Sequence, residues 1–143
     1  MTWSKATVFS DGASRGNPGP AGAGAVLVSS TGERLALGKF LGSTTNNIAE
    51  YEGLLLGLLA ARHKAVKHLI VCADSELLIK QLRGQYRVKA VHLQPLFEKA
   101  KTLLKGFEKF ELKHVYREHN KEADEMSNRA IDERLDGKIP ANP

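Results

Sequence analysis

The chain has 143 residues, 42% hydrophobic and 26% charged, which suits one ordinary globular domain. Its net charge of +5 and pI near 9.4 favour a polyanionic partner without requiring one. The longest apolar stretch, residues 54–61, is too short to span a bilayer, and no charged-then-apolar leader opens the sequence; the single cysteine, Cys72, lies in an apolar run and fits a core position in a reducing compartment, so a cytoplasmic location is expected.

Residues 5–11 read as a strand that delivers one carboxylate, Asp11, into a turn containing Gly12, Gly16, Pro18 and Gly19. An ionisable group at the edge of a buried strand is costly unless a cation or a metal offsets it. An Asx-turn is the other reading of an Asp-Gly pair. Residues 22–28 form a second strand that begins with small residues, where another backbone could approach closely. A hairpin turn at 29–33 leads into a third strand over 34–41, and such short links imply an antiparallel meander.

Residues 43–47 supply several candidate caps for a helix that runs to about Lys64. Ile48, Tyr51, Leu55, Leu58 and Leu59 follow helical periodicity, while Glu50, Gly53, Gly57 and Ala61 form a second strip. Each interior glycine costs about 1 kcal/mol relative to alanine, so two on one strip point to close approach of this helix to the sheet. That approach would bring Glu50 near the sheet; the other reading is an exposed glutamate beside two unremarkable glycines.

Residues 68–73 are a continuous apolar run, as expected of a central parallel strand. The run ends in Asp74-Ser75-Glu76, and a short helix follows to about Arg83. Asp74 thus stands at a strand's carboxyl end, the usual ligand edge of an α/β sheet, although Asp74 or Ser75 could equally cap the helix. A short basic linker, Arg83 to Lys89, precedes a helix from about His92 to Lys105 that carries Pro95 in its first turn. Residues 110–116 alternate like an outer strand, and Asn120 caps a final helix with Asp124 one turn inside it. The segment 136–143 has a glycine, two prolines and no pattern, and reads as a flexible tail to a domain spanning 1–135.

The order βββ-α-β-α-α-β-α therefore carries Asp11, Glu50, Asp74 and Asp124 at element ends or in first turns. Hard oxygen ligands of this kind suit Mg²⁺ or Mn²⁺. Converging carboxylates raise one another's pKa unless cations lie between them. Two such ions could stabilise both the attacking and the leaving oxygen of a phosphoryl displacement. Spacing alone does not bring the four acids together.

Four stretches in order resemble type 1 ribonuclease H: Asp11 to Gly19 (Asp-Gly-Ala-Ser-Arg-Gly-Asn-Pro-Gly), Thr45 to Tyr51 (Thr-Asn-Asn-Ile-Ala-Glu-Tyr), the strand ending in Asp74-Ser75, and Arg117 to Asp124 (Arg-Glu-His-Asn-Lys-Glu-Ala-Asp). The resemblance covers residues 5 to about 134. It implies an α/β ribonuclease H-like fold, a five-stranded mixed sheet of order 3-2-1-4-5 with helices on both faces. It also implies endonucleolytic cleavage of the RNA strand of RNA–DNA hybrids by two-metal-ion hydrolysis, leaving 5′-phosphate and 3′-hydroxyl ends. By the same resemblance Asp11, Glu50, Asp74 and Asp124 hold two Mg²⁺ ions, with Mn²⁺ able to substitute, and Glu50 lies near the RNA ribose. Gly12, Ser14, Asn17, Thr45, Asn46, Asn47 and Ser75 fall at substrate-binding positions. The expected partner is an RNA–DNA hybrid, with no membrane association and a monomeric chain.

Three departures stand out. The 83–89 linker is too short for the basic protrusion of other members, which leaves substrate affinity to scattered Lys and Arg residues. Ser43 and Ala90 stand where the family's phosphate pocket often has arginine and asparagine. The loop that carries a catalytic histidine in many members is cut here to Arg117-Glu118-His119, which fits a short-loop branch with arginine in the histidine's place. Arginine binds phosphate but cannot shuttle a proton, whereas His119 could, so both are candidate catalytic residues. Integrases and junction resolvases fit the Thr45–Glu50 and Asn120–Asp124 motifs poorly. A non-catalytic binding module has no need of four acids, and a nucleotide-binding ATPase half needs a second lobe for which 143 residues leave no room.

Overall fold

The computed structural model describes residues 3–138. Its elements are β1 (Lys5–Ser14), β2 (Gly19–Ser29), β3 (Arg34–Thr44), α1 (Asn46–His63), β4 (His68–Ala73), α2 (Glu76–Leu82), α3 (Gln94–Lys105), β5 (Lys109–His114) and α4 (Lys121–Glu133), with short 3₁₀ turns at Val91–Leu93 and Arg117–His119. The sheet order is β3-β2-β1-β4-β5. β1 pairs antiparallel with β2 and β2 with β3, while β4 runs parallel to β1 and to β5. This is the mixed five-stranded sheet, in the order that the resemblance implies.

β1 and β2 are longer than their hydrophobic patterns. Gly12, Ala13 and Ser14 continue the ladder opposite Ala23, Gly22 and Ala21, so the turn is confined to residues 15–18. Gly12 is therefore a strand residue rather than part of the turn. Its glycine is needed for packing, because a Cβ there would lie 2.1 Å from the backbone carbon of Ala49 in α1.

Small residues in β2 sort the helices onto two faces. Ala23 and Ala25 pack with Leu56 and Ala60 of α1. The alternate positions Gly22 and Gly24 meet the backbone of α4, where added Cβ atoms would lie 2.2 Å from the Ser127 carbonyl oxygen and 2.3 Å from that of Ala123. Alternation along a strand places these two sets on opposite sides. The predicted close approach at the start of β2 is thus made by α4. The main core lies on the α1 side, where Tyr51, Leu54 and Leu58 are buried against Val8, Leu69 and Val71, with α3 contributing Ala100 and Leu104. Truncating a leucine such as Leu54, which is fully buried, costs about 2–5 kcal/mol in cores of this kind.

The carboxyl-terminal segment does not simply depart from the domain. The Phe40 amide donates to the Leu135 carbonyl at 2.8 Å, and Asp136 forms an isolated antiparallel bridge with Lys39. The rest of the predicted tail, 139–143, lies outside the described residues.

Candidate active site

The sheet topology places the first two acids side by side. Ser10 and Ala73 are the last register partners of the parallel pair β1 and β4, so Asp11 and Asp74 each follow directly, on strands roughly 4.8 Å apart. The Gly12 amide donates to Asp11 Oδ1 at 2.9 Å, a contact between neighbours within the strand and not the Asx-turn of the other reading.

α1 brings the third acid. A Cβ on Gly53 would lie 2.1 Å from the Asp11 carbonyl oxygen, and one on Gly12 would lie 2.3 Å from the Glu50 amide nitrogen. These two bare positions let the first turns of α1 rest on the backbone of β1, which carries Glu50 to the end of the strand. Thr45 caps the helix, its Oγ1 accepting from the Ile48 amide at 3.3 Å. The Asn46 side chain donates to Glu50 Oε1 at 2.8 Å. Burial raises the pKa of Glu50, with a hydrogen bond from Ser75 acting the other way and the Asp74 charge adding to the rise.

α4 brings the fourth. Asn120 occupies the N-cap position, but its side chain does not cap. It reaches across the sheet instead, and its amide donates to the Ser10 carbonyl at 2.9 Å. The backbone carbonyl of Asn120 accepts from the Asp124 backbone amide at 3.1 Å. One buried residue, 1% exposed, thus ties the first turn of α4 to the position before Asp11. Asparagine is read from sequence as a cap because that is its commonest use at a helix start; only the non-local partner shows otherwise.

Asp11, Glu50, Asp74 and Asp124 line one open pocket of about 360 Å³, together with Gly12, Ala13, Ser14, Asn46, Ser75 and Arg117. Burial, then the Asp74 charge and the nearby Asp124 push the Asp11 carboxyl up to about 8, despite the lowering effect of the Gly12 amide. Among the described residues, no group of three or more His, Cys, Asp or Glu side chains is gathered so as to hold a metal ion. The four acids face the same space without closing on one point. The donor set consists of carboxylate oxygens, the chemistry that suits Mg²⁺ or Mn²⁺, so the residues fit the implied ions.

Arg117 is the one cation lining this pocket among the described residues. His119 is not there. Two residues along the same 3₁₀ turn, it lines a different pocket with Phe9, Arg34 and Glu122. Ser75 caps α2 through the Leu78 amide at 3.2 Å while also lining the acidic pocket, so its capping and site positions coexist. Ser14 Oγ donates to the Thr44 carbonyl at 3.0 Å, and Asn17 Oδ1 accepts from the Asn46 amide at 3.1 Å, which fastens the 15–18 turn to the start of α1. Asn17 and Thr45 do not line the acidic pocket, and Asn47 lines an adjoining groove.

Comparison with known proteins follows this geometry. The reverse transcriptase-like family matches residues 9–130. The chain is 41% identical over 126 residues to a ribonuclease HI of Halobacterium salinarum, covering 87% of this chain and 63% of that protein. It thus spans somewhat under two-thirds of that relative's length. A solved structure of RNase H1 from Halobacterium salinarum superposes with a TM-score of 0.86 at 39% identity, covering 90% of this chain and 98% of that one. The structure of LC11-RNase H1 in complex with an RNA/DNA hybrid gives 0.84 at 36% identity, covering 91% and 99%.

Proposed function

Because the chain belongs to the type 1 ribonucleases H of the reverse transcriptase-like family, we propose that it is a metal-dependent endoribonuclease that cuts the RNA strand of RNA–DNA hybrids. The observation that carries this reading is the single pocket lined by four carboxylates and one guanidinium. The relative solved with an RNA/DNA hybrid supports the substrate class.

Hydrolysis adds a water oxygen to the scissile phosphorus and breaks its bond to the 3′ oxygen, leaving 5′-phosphate and 3′-hydroxyl ends. Asp11, Glu50, Asp74 and Asp124 are the residues that would hold two divalent cations, and bound cations supply Lewis-acid polarisation and charge neutralisation at the phosphate. The chain's own contribution is placement. Asn46 and Ser75 fix the carboxylate of Glu50. The amides of Asn17, Asn46 and Asn47 offer both donors and acceptors, the chemistry that reads a 2′-hydroxyl. Arg117 can donate to phosphate oxygens, but its guanidinium stays protonated at neutral pH and cannot shuttle a proton.

A strand-labelled hybrid incubated with Mg²⁺ or Mn²⁺, beside matched RNA–RNA and DNA–DNA duplexes, tests the reading. Metal-dependent cutting of the RNA strand of the hybrid alone is expected; intact hybrid under both metals overturns it. Arg117→Ala should lower kcat by about 10²-fold, the usual loss for one charge-stabilising donor, and His119→Ala by much less. Steady-state kinetics of the two variants decide between the residues, and a larger loss at His119 reverses the assignment.

A further inference from the structure

We propose that Tyr51 and Gln81 are positioning residues for the reaction: their buried hydrogen bond sets the direction of α2 against α1 and so keeps Ser75 on the carboxylate of Glu50. The inference rests on the hydrolytic reading above, because it concerns how one of the four acids is held.

Glu50 and Tyr51 are consecutive in α1, and consecutive helical residues point about 100° apart. Glu50 therefore turns to the acidic pocket while Tyr51 turns inward, where it is 2% exposed. The Tyr51 Oη donates to Gln81 Oε1 at 2.6 Å, and Gln81, also buried, stands in the last turn of α2. At the other end of α2 is its cap, Ser75. The Ser75 Oγ accepts from the Leu78 amide at 3.2 Å, which leaves its one proton for the carboxylate of Glu50. Two neighbouring residues of α1 thus hold the two ends of a seven-residue helix, at points about 9 Å apart along its axis. A single contact would let so short a helix swing. Two fix its direction.

The other restraints on α2 do not do this. Leu78 and Ile79 anchor its middle in the main core, but apolar contact has no direction of its own. Arg83, its exposed C-cap, donates to the Leu112 carbonyl at 2.6 Å and so ties the far end to β5, not to α1. Packing alone asks only for an aromatic ring at position 51 and an apolar side chain at position 81. A hydroxyl and an amide in those places are each costly to bury without the other, and together they admit one geometry.

The test uses Tyr51→Phe, Gln81→Met and the double variant. Each single change strands a buried polar partner and should lower the urea midpoint; the double change removes both partners and should recover most of that loss. A purely structural pair would recover activity at the same time. For a positioning pair, kcat should stay down about tenfold in all three variants, part of the about 10²-fold loss that a 1 Å misplacement brings, while KM changes by less than about twofold.

Amide exchange at Leu78, followed in chelator and without hybrid, decides the matter even where no hybrid is cut. The bond of this amide to Ser75 reports the start of α2, so exchange in the double variant should stay faster than in the parent despite the recovered midpoint. In a Ser75→Ala background, Tyr51→Phe should lower kcat little further, because the contact that it protects is already gone. Recovery of kcat together with the midpoint in the double variant, Leu78 exchange at the parent's rate, or an undiminished loss in the Ser75→Ala background overturns the proposal.

Discussion

Asp11→Asn should abolish hybrid cleavage, by about 10³-fold or more, and at the same time stabilise the metal-free protein. The loss follows from position. Asp11 is central to the pocket: Asp74 follows the adjacent strand, Asp124 is tied to the neighbouring Ser10 through Asn120, and Glu50 is seated on the Asp11–Gly12 backbone. Asparagine keeps the shape and can still accept from the Gly12 amide, but it removes the charge that a divalent cation needs.

The gain in stability has a definite sign. The folded-state pKa of Asp11, about 8, lies above its ordinary value of 3.8, chiefly through burial and then the charge of Asp74. Below about pH 4 the group is protonated whether the chain is folded or not, so the two proteins should unfold alike. Between about pH 4 and pH 8 the unfolded chain releases the proton while the folded one retains it, and the parent loses stability as pH rises. The asparagine variant has no such loss. In a chelator, thermal unfolding should therefore show a gap in its favour that opens above about pH 4 and levels off above about pH 8. Mg²⁺ should narrow that gap by stabilising the parent more than the variant, as a ligand specific to the folded state does. Equal melting curves across the whole pH range in chelator would sink this account of the site.

Why the four acids are legible in the sequence while their meeting is not can be seen residue by residue. Asp11 and Asp74 interrupt apolar runs at positions where a buried strand should not carry charge, and Glu50 sits above two interior glycines that a helix keeps only for contact. These are local conflicts, and local conflicts survive in a one-dimensional reading. Convergence depends on β4 lying parallel beside β1, a pairing across some 60 positions of chain. Residue type can also mislead. Gly12 reads as turn punctuation but is a strand residue made bare for α1. Asn120 reads as a cap but serves as a cross-link to Ser10. Arg117 and His119 are two residues apart in sequence, and a single 3₁₀ turn sends them to different pockets.

The dependence of the site on bare glycine contacts leads to the second large effect, that of Gly53→Ala. On an exposed helix this change would stabilise by about 1 kcal/mol, because alanine is the better helix former. Here the new Cβ would stand 2.1 Å from the Asp11 carbonyl oxygen and 2.9 Å from its carbonyl carbon. Both are backbone atoms of the central strand and cannot rotate aside. α1 must withdraw by roughly 1 Å, which loosens Tyr51, Leu54 and Leu58 against the sheet, and overpacking of this kind costs about 1–3 kcal/mol or more. Gly57→Ala is the internal comparison. Its Cβ would meet a methyl carbon of Val8 at 2.6 Å, a side-chain group that can turn. The urea midpoint should therefore fall clearly for Gly53→Ala and much less for Gly57→Ala. Activity separates the two further: a shift of about 1 Å in α1 carries Glu50 away from Asp11, and a misplacement of that size costs about 10²-fold in rate. Gly53→Ala protein that is still folded at the assay temperature should thus show a loss of kcat that Gly57→Ala does not share. A Gly53→Ala protein with the parent's midpoint and turnover would mean that α1 does not rest on the strand at Asp11, and the positioning of Glu50 would need another cause.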